Sequence, residues 1–253
     1  MTEQVKILFL SANPKDISRI RLEQEMRDVD EGIRLGEYCD QLKLIFQPAA
    51  RPRDIRRALL RYKPHILHFS GHGSATAGIV LEDDSGNTKM LSTDALAGLL
   101  GVIKDNLRIV LLNACYSAVQ ADAIGKVIDF TIGMRKEIGD RSAIVFSVAF
   151  YDGLAGGRSV KESFGLGVNA LQSEGIPETE TPTLLVKEGA DSARTYLVSP
   201  RELRPDAEKP GEERPREGHN VKWQANATTG DIVQTGIGGD VRTDTLHIGP
   251  NNK

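Results

Sequence analysis

The sequence predicts an α/β fold in which helices cover both faces of a mostly parallel sheet. Strand-like and helix-like segments alternate along residues 5–198, and this alternation is typical of parallel strands joined by helices. The apolar runs are continuous rather than alternating, as expected for strands that are buried on both faces. The chain has 253 residues, of which 26% are charged and 40% are hydrophobic. That composition is ordinary for a globular domain with an additional segment.

Each element follows from a local pattern. The predicted strands are the apolar runs at 5–10, 42–46, 65–69, 108–113 and 127–134. The first helix is predicted because Leu22, Met26, Val29 and Ile33 recur at spacings of four and three. Further helices are predicted at 52–62, 92–100, 116–125, about 141–154 and 159–172. Residues 78–92 predict a hairpin around an Asp-Ser-Gly-Asn turn, and the segments 181–189 and 194–199 close the domain.

Charge and cysteine content exclude several classes of protein. The formal net charge is −3, which gives no electrostatic footprint for nucleic acid or for an anionic membrane surface. No apolar stretch approaches the length of a membrane span, and the start of the chain lacks the pattern of a signal peptide. With only two cysteines, we expect a cytoplasmic protein with reduced thiols. No Gly-x-Gly-x-x-Gly or Walker-type loop is present, which argues against a nucleotide-binding protein, and we expect no cofactor.

Two strands end in residues that are suited to catalysis. Ser-Gly-His-Gly follows the third strand and places His72 between Gly71 and Gly73, and Asn-Ala-Cys ends the fourth strand and places Cys115. Sites in open α/β sheets form outside the carboxyl ends of the strands. If the third and fourth strands are neighbours, His72 and Cys115 therefore face each other at one edge of the sheet.

The two residue types suit nucleophilic catalysis. A thiol attacks a carbonyl group as the thiolate, and a neighbouring imidazole can take its proton. A helix that starts just after Cys115 would favour the thiolate. The backbone N–H groups of Gly73 and Cys115 are candidates to stabilise an oxyanion. The alternative is that Cys115 is a core residue and His72 an ordinary loop residue.

Two further histidines, His65 and His68, and the second cysteine have simpler interpretations. His68 lies within a strand and is expected to be a core histidine, and His65 is expected at the strand edge. A zinc site built from His65, His68 and His72 is disfavoured, because successive strand residues point to opposite faces. Cys39 follows a helical segment without flanking glycines, and we expect it to be structural.

The motifs around these residues resemble the CHAT domains, which are bacterial relatives of caspases and separase. The resemblance rests on "ILFLSANP", "RLEQEMRDVDEGI", "PHILHFSGHG", "IVLEDDSG", "IVLLNACYS" and "FSVAFYDGLA" in this order. It implies a three-layer caspase-like peptidase domain over residues 1–198, with Cys115 as nucleophile, His72 as general base and a protein as substrate. The sequence departs from the family pattern at Ala118, where a glycine is common, and this puts the shape of that loop in doubt.

The residue that precedes the scissile bond is not defined by the sequence. Related peptidases that prefer a basic residue carry Asp two positions before the nucleophile. This chain has Asn113 there, which is an argument against a strongly acidic pocket. Caspases use an arginine from the loop after the first strand to bind Asp. Arg19 and Arg21 occupy that loop. The alternative is that both are solvated residues at the start of a helix.

The composition changes near residue 199. Residues 199–220 are rich in Pro, Glu and Arg, and they predict a disordered linker. Residues 221–253 contain short β-prone pieces and resemble C-terminal amyloid-signalling motifs of bacterial defence proteins. Val233, Gln234 and Gly236 match the Val-Gln-x-Gly core of that resemblance, and Ile232 directly precedes it. Such segments can stack in register with a partner that carries a similar motif. The alternative is an unstructured tail or a hairpin that docks on the sheet.

Two functional hypotheses follow from these observations. The first is a cysteine endopeptidase with a His72–Cys115 dyad, serving as an effector in bacterial defence or regulated cell death and activated by assembly through the tail. The second is a catalytically inactive scaffold with the same fold, in which the tail serves as an adaptor.

Overall fold

A six-stranded sheet organises the part of the chain that the computed structural model describes, residues 4–198. The strand order is β2-β1-β3-β7-β8-β9, and all neighbouring pairs are parallel except β8 and β9. The strands of this sheet are β1 (Val5–Ser11), β2 (Leu42–Gln47), β3 (Ile66–Ser70), β7 (Ile109–Asn113), β8 (Phe130–Met134) and β9 (Pro182–Val186). The predicted linker and tail, including Ile232, Val233, Gln234 and Gly236, lie outside the described residues.

Six helices pack on the two faces of this sheet. They are α1 (Leu22–Leu35), α2 (Pro52–Tyr62), α3 (Thr93–Val102), α4 (Ala118–Gly125), α5 (Asp140–Ala155) and α6 (Val160–Ser173). One apolar cluster joins α2, α3 and α4 to one face of the sheet, and a second joins α1, α5 and α6 to the other face. The predicted α/β architecture with helices on both faces is confirmed.

Alternation along the strands explains the continuous apolar runs. In β1, Leu8 and Leu10 belong to the cluster with α2 and α3, whereas Ile7 belongs to the cluster with α1 and α5. In β7, Val110 belongs to the first of these clusters and Leu111 to the second. Successive side chains of a strand point to opposite faces, so a strand covered on both faces is mostly apolar along its whole length.

The predicted hairpin forms a small sheet of its own. β5 (Gly78–Glu82) and β6 (Thr88–Leu91) are antiparallel, and the two-residue strand β4 (Gly73–Ser74) pairs with the other side of β5. Because β4 directly follows His72, this small sheet is joined to the carboxyl end of β3.

The two closing segments have different positions in the structure. Only Pro182–Val186 of the closing segments joins the main sheet, as β9. The segment before residue 199 instead contacts the start of α6, where the amides of Val160 and Lys161 donate to the carbonyls of Thr195 and Ser192. These contacts satisfy donors that a helix N-terminus leaves unpaired.

Candidate active site

The ends of β3 and β7 bring the two predicted catalytic residues to one edge of the sheet. The strands pair in parallel from Ile66 with Ile109 to Ser70 with Asn113. The amide of Gly71 still donates to the carbonyl of Asn113 at 3.3 Å. His72 and Cys115 both line a pocket of about 220 Å³ that opens beyond these ends.

The imidazole of His72 is oriented by the backbone of the loop between β1 and α1. Its Nε2 lies 2.8 Å from the carbonyl oxygen of Ser18. Because a carbonyl oxygen only accepts, Nε2 carries the hydrogen in this contact, and Nδ1 of a neutral ring is left as an acceptor.

The loop that carries Ser18 is itself attached to the β5–β6 hairpin. The amide of Lys15 donates to the carbonyl of Gly86 at 3.0 Å. The Asp16 carboxylate accepts from the amide of Thr88 at 2.9 Å and from its hydroxyl at 3.0 Å. The hairpin therefore positions the carbonyl group that orients His72.

Cys115 lies in a tight turn between β7 and α4. Tyr116 has a positive φ of 56°, which is uncommon for a residue with a side chain. The Tyr116 amide donates to the carbonyl of Lys136 at 3.1 Å, and the buried Ser117 hydroxyl donates to the carbonyl of Leu112 at 2.7 Å. The Cys115 Sγ lies 3.8 Å from the carbonyl oxygen of Ile138. The helix begins at Ala118, later than the predicted start at residue 116.

Gly73 allows the small sheet to pass close to this turn. A Cβ atom at position 73 would lie 2.5 Å from the carbonyl oxygen of Cys115 and 3.0 Å from the Cβ of Ala114. Only glycine fits so close a backbone approach.

Comparison with known proteins identifies the family of this chain. Residues 4–165 match the CHAT domain family. The chain belongs to this family. The predicted resemblance over the peptidase-like region is therefore confirmed.

Two relatives of this CHAT domain are described as proteases. A probable protease of Gillisia limnaea is 28% identical over 170 residues, which cover 66% of this chain and 30% of the relative. A Roc-COR-CHAT protease from an unknown prokaryotic organism is 21% identical over 185 residues, which cover 70% of this chain and 17% of the relative. The chain thus spans less than a third of the length of either relative.

A solved structure shares the fold. The Arg-specific cysteine proteinase gingipain R matches this CHAT domain with a TM-score of 0.54 and 14% identity, over 78% of this chain and 49% of the other. Within residues 4–198, no helix is long and apolar enough to cross a membrane.

A buried polar network that was not predicted from the sequence lies beneath the site of the CHAT domain. The carboxylate of Glu25, on α1, accepts hydrogen bonds from the hydroxyl of Ser70 and, at 2.6 Å, from Nδ2 of Asn113. The Nε2 of His68 lies 3.3 Å from Glu25 Oε1, and His68 Nδ1 lies 3.2 Å from the Tyr151 hydroxyl. All of these side chains are buried.

Glu25 is buried in α1, at a place where the sequence predicted Met26. The buried positions of this helix are Leu22, Glu25, Val29 and Ile33, whereas Met26 is only partly buried. The spacing of Glu25 from Leu22 and Val29 is also helical, and this was the available signal for its burial.

The network lowers the pKa of Glu25. Burial alone raises the pKa of this carboxyl group, but the imidazole of His68 and the hydrogen bonds from Ser70 and Asn113 outweigh burial, and the pKa lies below 4.5. Burial and the charge of Glu25 raise the pKa of Tyr151 well above 10.0.

The three candidate pocket residues have different positions. Asn113 lines the pocket but is held in the buried network. Arg21 lines the pocket rim, with its Nε 3.8 Å from Asp140 Oδ2. Arg19 instead lines a separate depression with Phe46 and Glu82.

His65, His68 and Cys39 lie outside the pocket lining. His68 is fully buried, as predicted, and His65 Nδ1 accepts from the Lys6 amide at 3.0 Å. Among residues 4–198, no group of three or more His, Cys, Asp or Glu side chains is placed to hold a metal ion. Cys39 is an exposed free thiol rather than a core residue, because its 3₁₀ turn packs only Gln41 inward.

Proposed function

We propose that this CHAT domain is a cysteine endopeptidase in which Cys115 is the nucleophile and His72 the general base. The observation that carries this proposal is that both side chains line one pocket at the carboxyl edge of the sheet. Two family relatives described as proteases support the same class of reaction. The substrate is then a protein or peptide, and the chemistry needs no cofactor.

The contact of His72 with Ser18 supports the assignment of a general base. Since Nε2 carries a hydrogen, Nδ1 accepts the proton of the Cys115 thiol. The thiolate attacks the scissile carbonyl carbon, and a C–S bond forms while the carbonyl oxygen becomes an oxyanion. When the C–N bond breaks, His72 returns the proton to the leaving amine. Water then attacks the thioester with His72 again as the base, which releases the acid product and restores the thiol.

The pairing of β4 supports Gly73 as an oxyanion donor. Gly73 faces Ile79 across the ladder, and the neighbouring bond runs from the Val80 amide to the His72 carbonyl at 3.0 Å. In an antiparallel pair this arrangement makes Gly73 and Ile79 a non-hydrogen-bonded pair, so the Gly73 N–H points away from β5. Together with the Cys115 N–H it is the proposed pair of oxyanion donors.

The direct test is labelling and cleavage with the full chain. An electrophilic peptide probe should modify Cys115, and peptide mapping identifies the site. Because Cys39 is exposed, the reference protein is Cys39→Ser, which we expect to react like the natural chain. Cys115→Ala should lower cleavage at least about 10³-fold, and His72→Ala by about 10² to 10⁴-fold. Both variants should keep the circular dichroism of the reference. Cleavage by Cys115→Ala at the reference rate would overturn the assignment.

The same experiment distinguishes the second hypothesis. A folded protein that neither reacts with the probes at Cys115 nor cleaves any member of a peptide library would be a scaffold. The close approach of Gly73 to the Cys115 turn favours the peptidase, because a scaffold has no need of a backbone amide beside a thiol.

We further propose that the protein is a cytoplasmic effector of bacterial defence or regulated cell death that is activated by assembly. The supporting feature is the Val-Gln-x-Gly core at Val233, Gln234 and Gly236, which would pair with a partner that carries a similar motif. Linked modules reach effective concentrations on the order of millimolar. Replacing residues 221–253 by a drug-inducible dimerisation module should make cleavage depend on the drug, and a monomeric module of equal size is the control. Equal cleavage with and without the drug would contradict activation by assembly.

A further inference from the structure

The pocket beside Cys115 has a polar floor and apolar walls. Its lining includes the apolar side chains of Leu22, Ile138 and Ile144, which we call its walls, and the buried polar side chains of Glu25, Ser70 and Asn113, which we call its floor. Its volume of about 220 Å³ corresponds to about seven water molecules in the liquid. The pocket therefore has room for one long side chain.

The hydrogen-bond donors of the floor are already used. The Ser70 hydroxyl donates to Glu25. The Asn113 amide nitrogen is surrounded by three acceptors: Glu25 Oε1 at 2.6 Å, the Ala143 carbonyl at 3.2 Å and the Ser147 hydroxyl at 3.1 Å. A ligand that needs a donor from Ser70 or Asn113 would have to break one of these bonds.

One hydrogen-bond acceptor of the floor, the Oδ1 of Asn113, is in contrast left unused by the described residues. Asn113 is only 3% exposed, and its Oδ1 has no hydrogen-bond partner within residues 4–198. The amide cannot rotate to exchange its two ends, because Oδ1 would then face the oxygens of Glu25 and Ala143. A buried acceptor without a partner is costly, and a ligand that supplies an N–H group removes that cost.

The charges around the pocket also favour a ligand that carries N–H donors and a positive charge. The depressed pKa of Glu25 keeps this buried carboxyl group ionised at neutral pH. Asp140 adds a carboxylate at the rim, where its side chain is 33% exposed, and Arg21 opposite is 55% exposed. An acidic side chain in this pocket would be repelled by Glu25, whereas a cation would be attracted.

We propose that this pocket binds the side chain that precedes the scissile bond and that it selects Lys or Arg. The apolar walls suit the aliphatic stem of these residues, and the Glu25–Asn113 floor suits their N–H donors. The selectivity rests on the proposed peptidase function. The absence of Asp at position 113 does not remove the acidic character of the pocket, because α1 supplies Glu25 in its place.

The test is a set of peptide electrophiles that differ only in the residue before the electrophilic carbonyl. With the full-length Cys39→Ser protein, the Lys and Arg probes should modify Cys115 roughly 10- to 100-fold faster than the norleucine probe, which has the same stem without the charge. The Asp probe should be slowest. Equal rates for Lys and norleucine, or a fastest rate for Asp, would overturn the selectivity but leave the peptidase in place. No labelling by any probe, either in this protein or in the drug-dimerised chain, would overturn both.

Substitution of a pocket residue tests whether this pocket causes the selectivity. Asp140→Asn, at the partly exposed rim, removes one carboxylate and should lower the ratio of the Lys rate to the norleucine rate about threefold. An unchanged ratio in Asp140→Asn would contradict the assignment of this pocket.

Discussion

Ser70 and Asn113 face each other at the last paired position of β3 and β7, and both donate a hydrogen bond to the carboxylate of Glu25. One buried side chain of α1 therefore joins the ends of the two strands that carry the candidate catalytic residues. Because His72 and Cys115 follow those ends by two residues, their relative position depends on this carboxylate.

Glu25→Gln should destabilise the protein. The substitution removes the charge that faces His68 and gives an N–H group to positions where Ser70 and Asn113 now donate. Breaking one side of a buried pair costs about 3 kcal/mol or more, and urea denaturation measures the loss. Glu23→Gln, on the exposed side of the same helix, is the matched control and should change stability by less than about 0.5 kcal/mol. Equal effects of the two substitutions would mean that the network contributes nothing.

Acid should weaken the folded state through Glu25. Its folded pKa lies below the unfolded value of 4.5, so the unfolded chain binds a proton first as the pH falls. The stabilisation is therefore complete above pH 4.5 and is lost as the pH falls through the folded pKa. Urea midpoints between pH 6 and pH 3 should fall more steeply for the natural protein than for Glu25→Gln. Parallel curves for the two proteins would contradict this role.

Alkali should weaken the folded state through Tyr151. Its folded pKa is raised well above 10.0, so above pH 10 the unfolded chain loses this proton while the folded chain retains it. Stability is then complete below pH 10 and falls as the pH rises. The Tyr151→Phe protein should not show this part of the loss of stability at alkaline pH. If urea midpoints of both proteins decline equally between pH 9.5 and pH 11, Tyr151 is not the group responsible.

Gly73→Ala should impair catalysis more than folding. The new Cβ would meet the carbonyl oxygen of Cys115 and the Cβ of Ala114, and the backbone at both proposed catalytic residues must shift. Small displacements of reacting groups can cost about 10²-fold in rate, which cleavage assays measure. Gly98→Ala, in α3, has no heavy atom within 4 Å of its new Cβ and should stabilise the protein by up to about 1 kcal/mol with unchanged cleavage. Normal cleavage by Gly73→Ala would contradict the tight approach.

Asp16→Ala should lower activity although Asp16 does not line the pocket. Asp16 attaches the loop of Ser18 to Thr88, and the Ser18 carbonyl orients His72. Loss of that attachment should reduce kcat about five- to tenfold with little change in KM. Asp16→Asn keeps the Oδ1 acceptor and should restore activity, and Asp105→Ala, at another exposed turn, should have no effect. A kcat of Asp16→Asn as low as that of Asp16→Ala would argue against positioning through Oδ1.

The sequence by itself determined the layered α/β fold and the edge at which the candidate site lies. Short continuous apolar runs that alternate with helical segments are typical of strands covered on both faces, and β3 and β7 end two residues before His72 and Cys115. These features are local, because hydrophobic periodicity and glycine-flanked strand ends are visible within about ten residues.

Only the tertiary structure decided which polar side chains lie beneath that edge. Glu25 lies in a strongly acidic helical segment, and its partners Ser70 and Asn113 are 45 and 88 residues away along the chain. From the sequence, Glu25 was not among the candidate site residues, and Asn113 argued against a strongly acidic pocket. Burial of a charge depends on partners that the fold supplies from distant segments, and no local pattern records those partners.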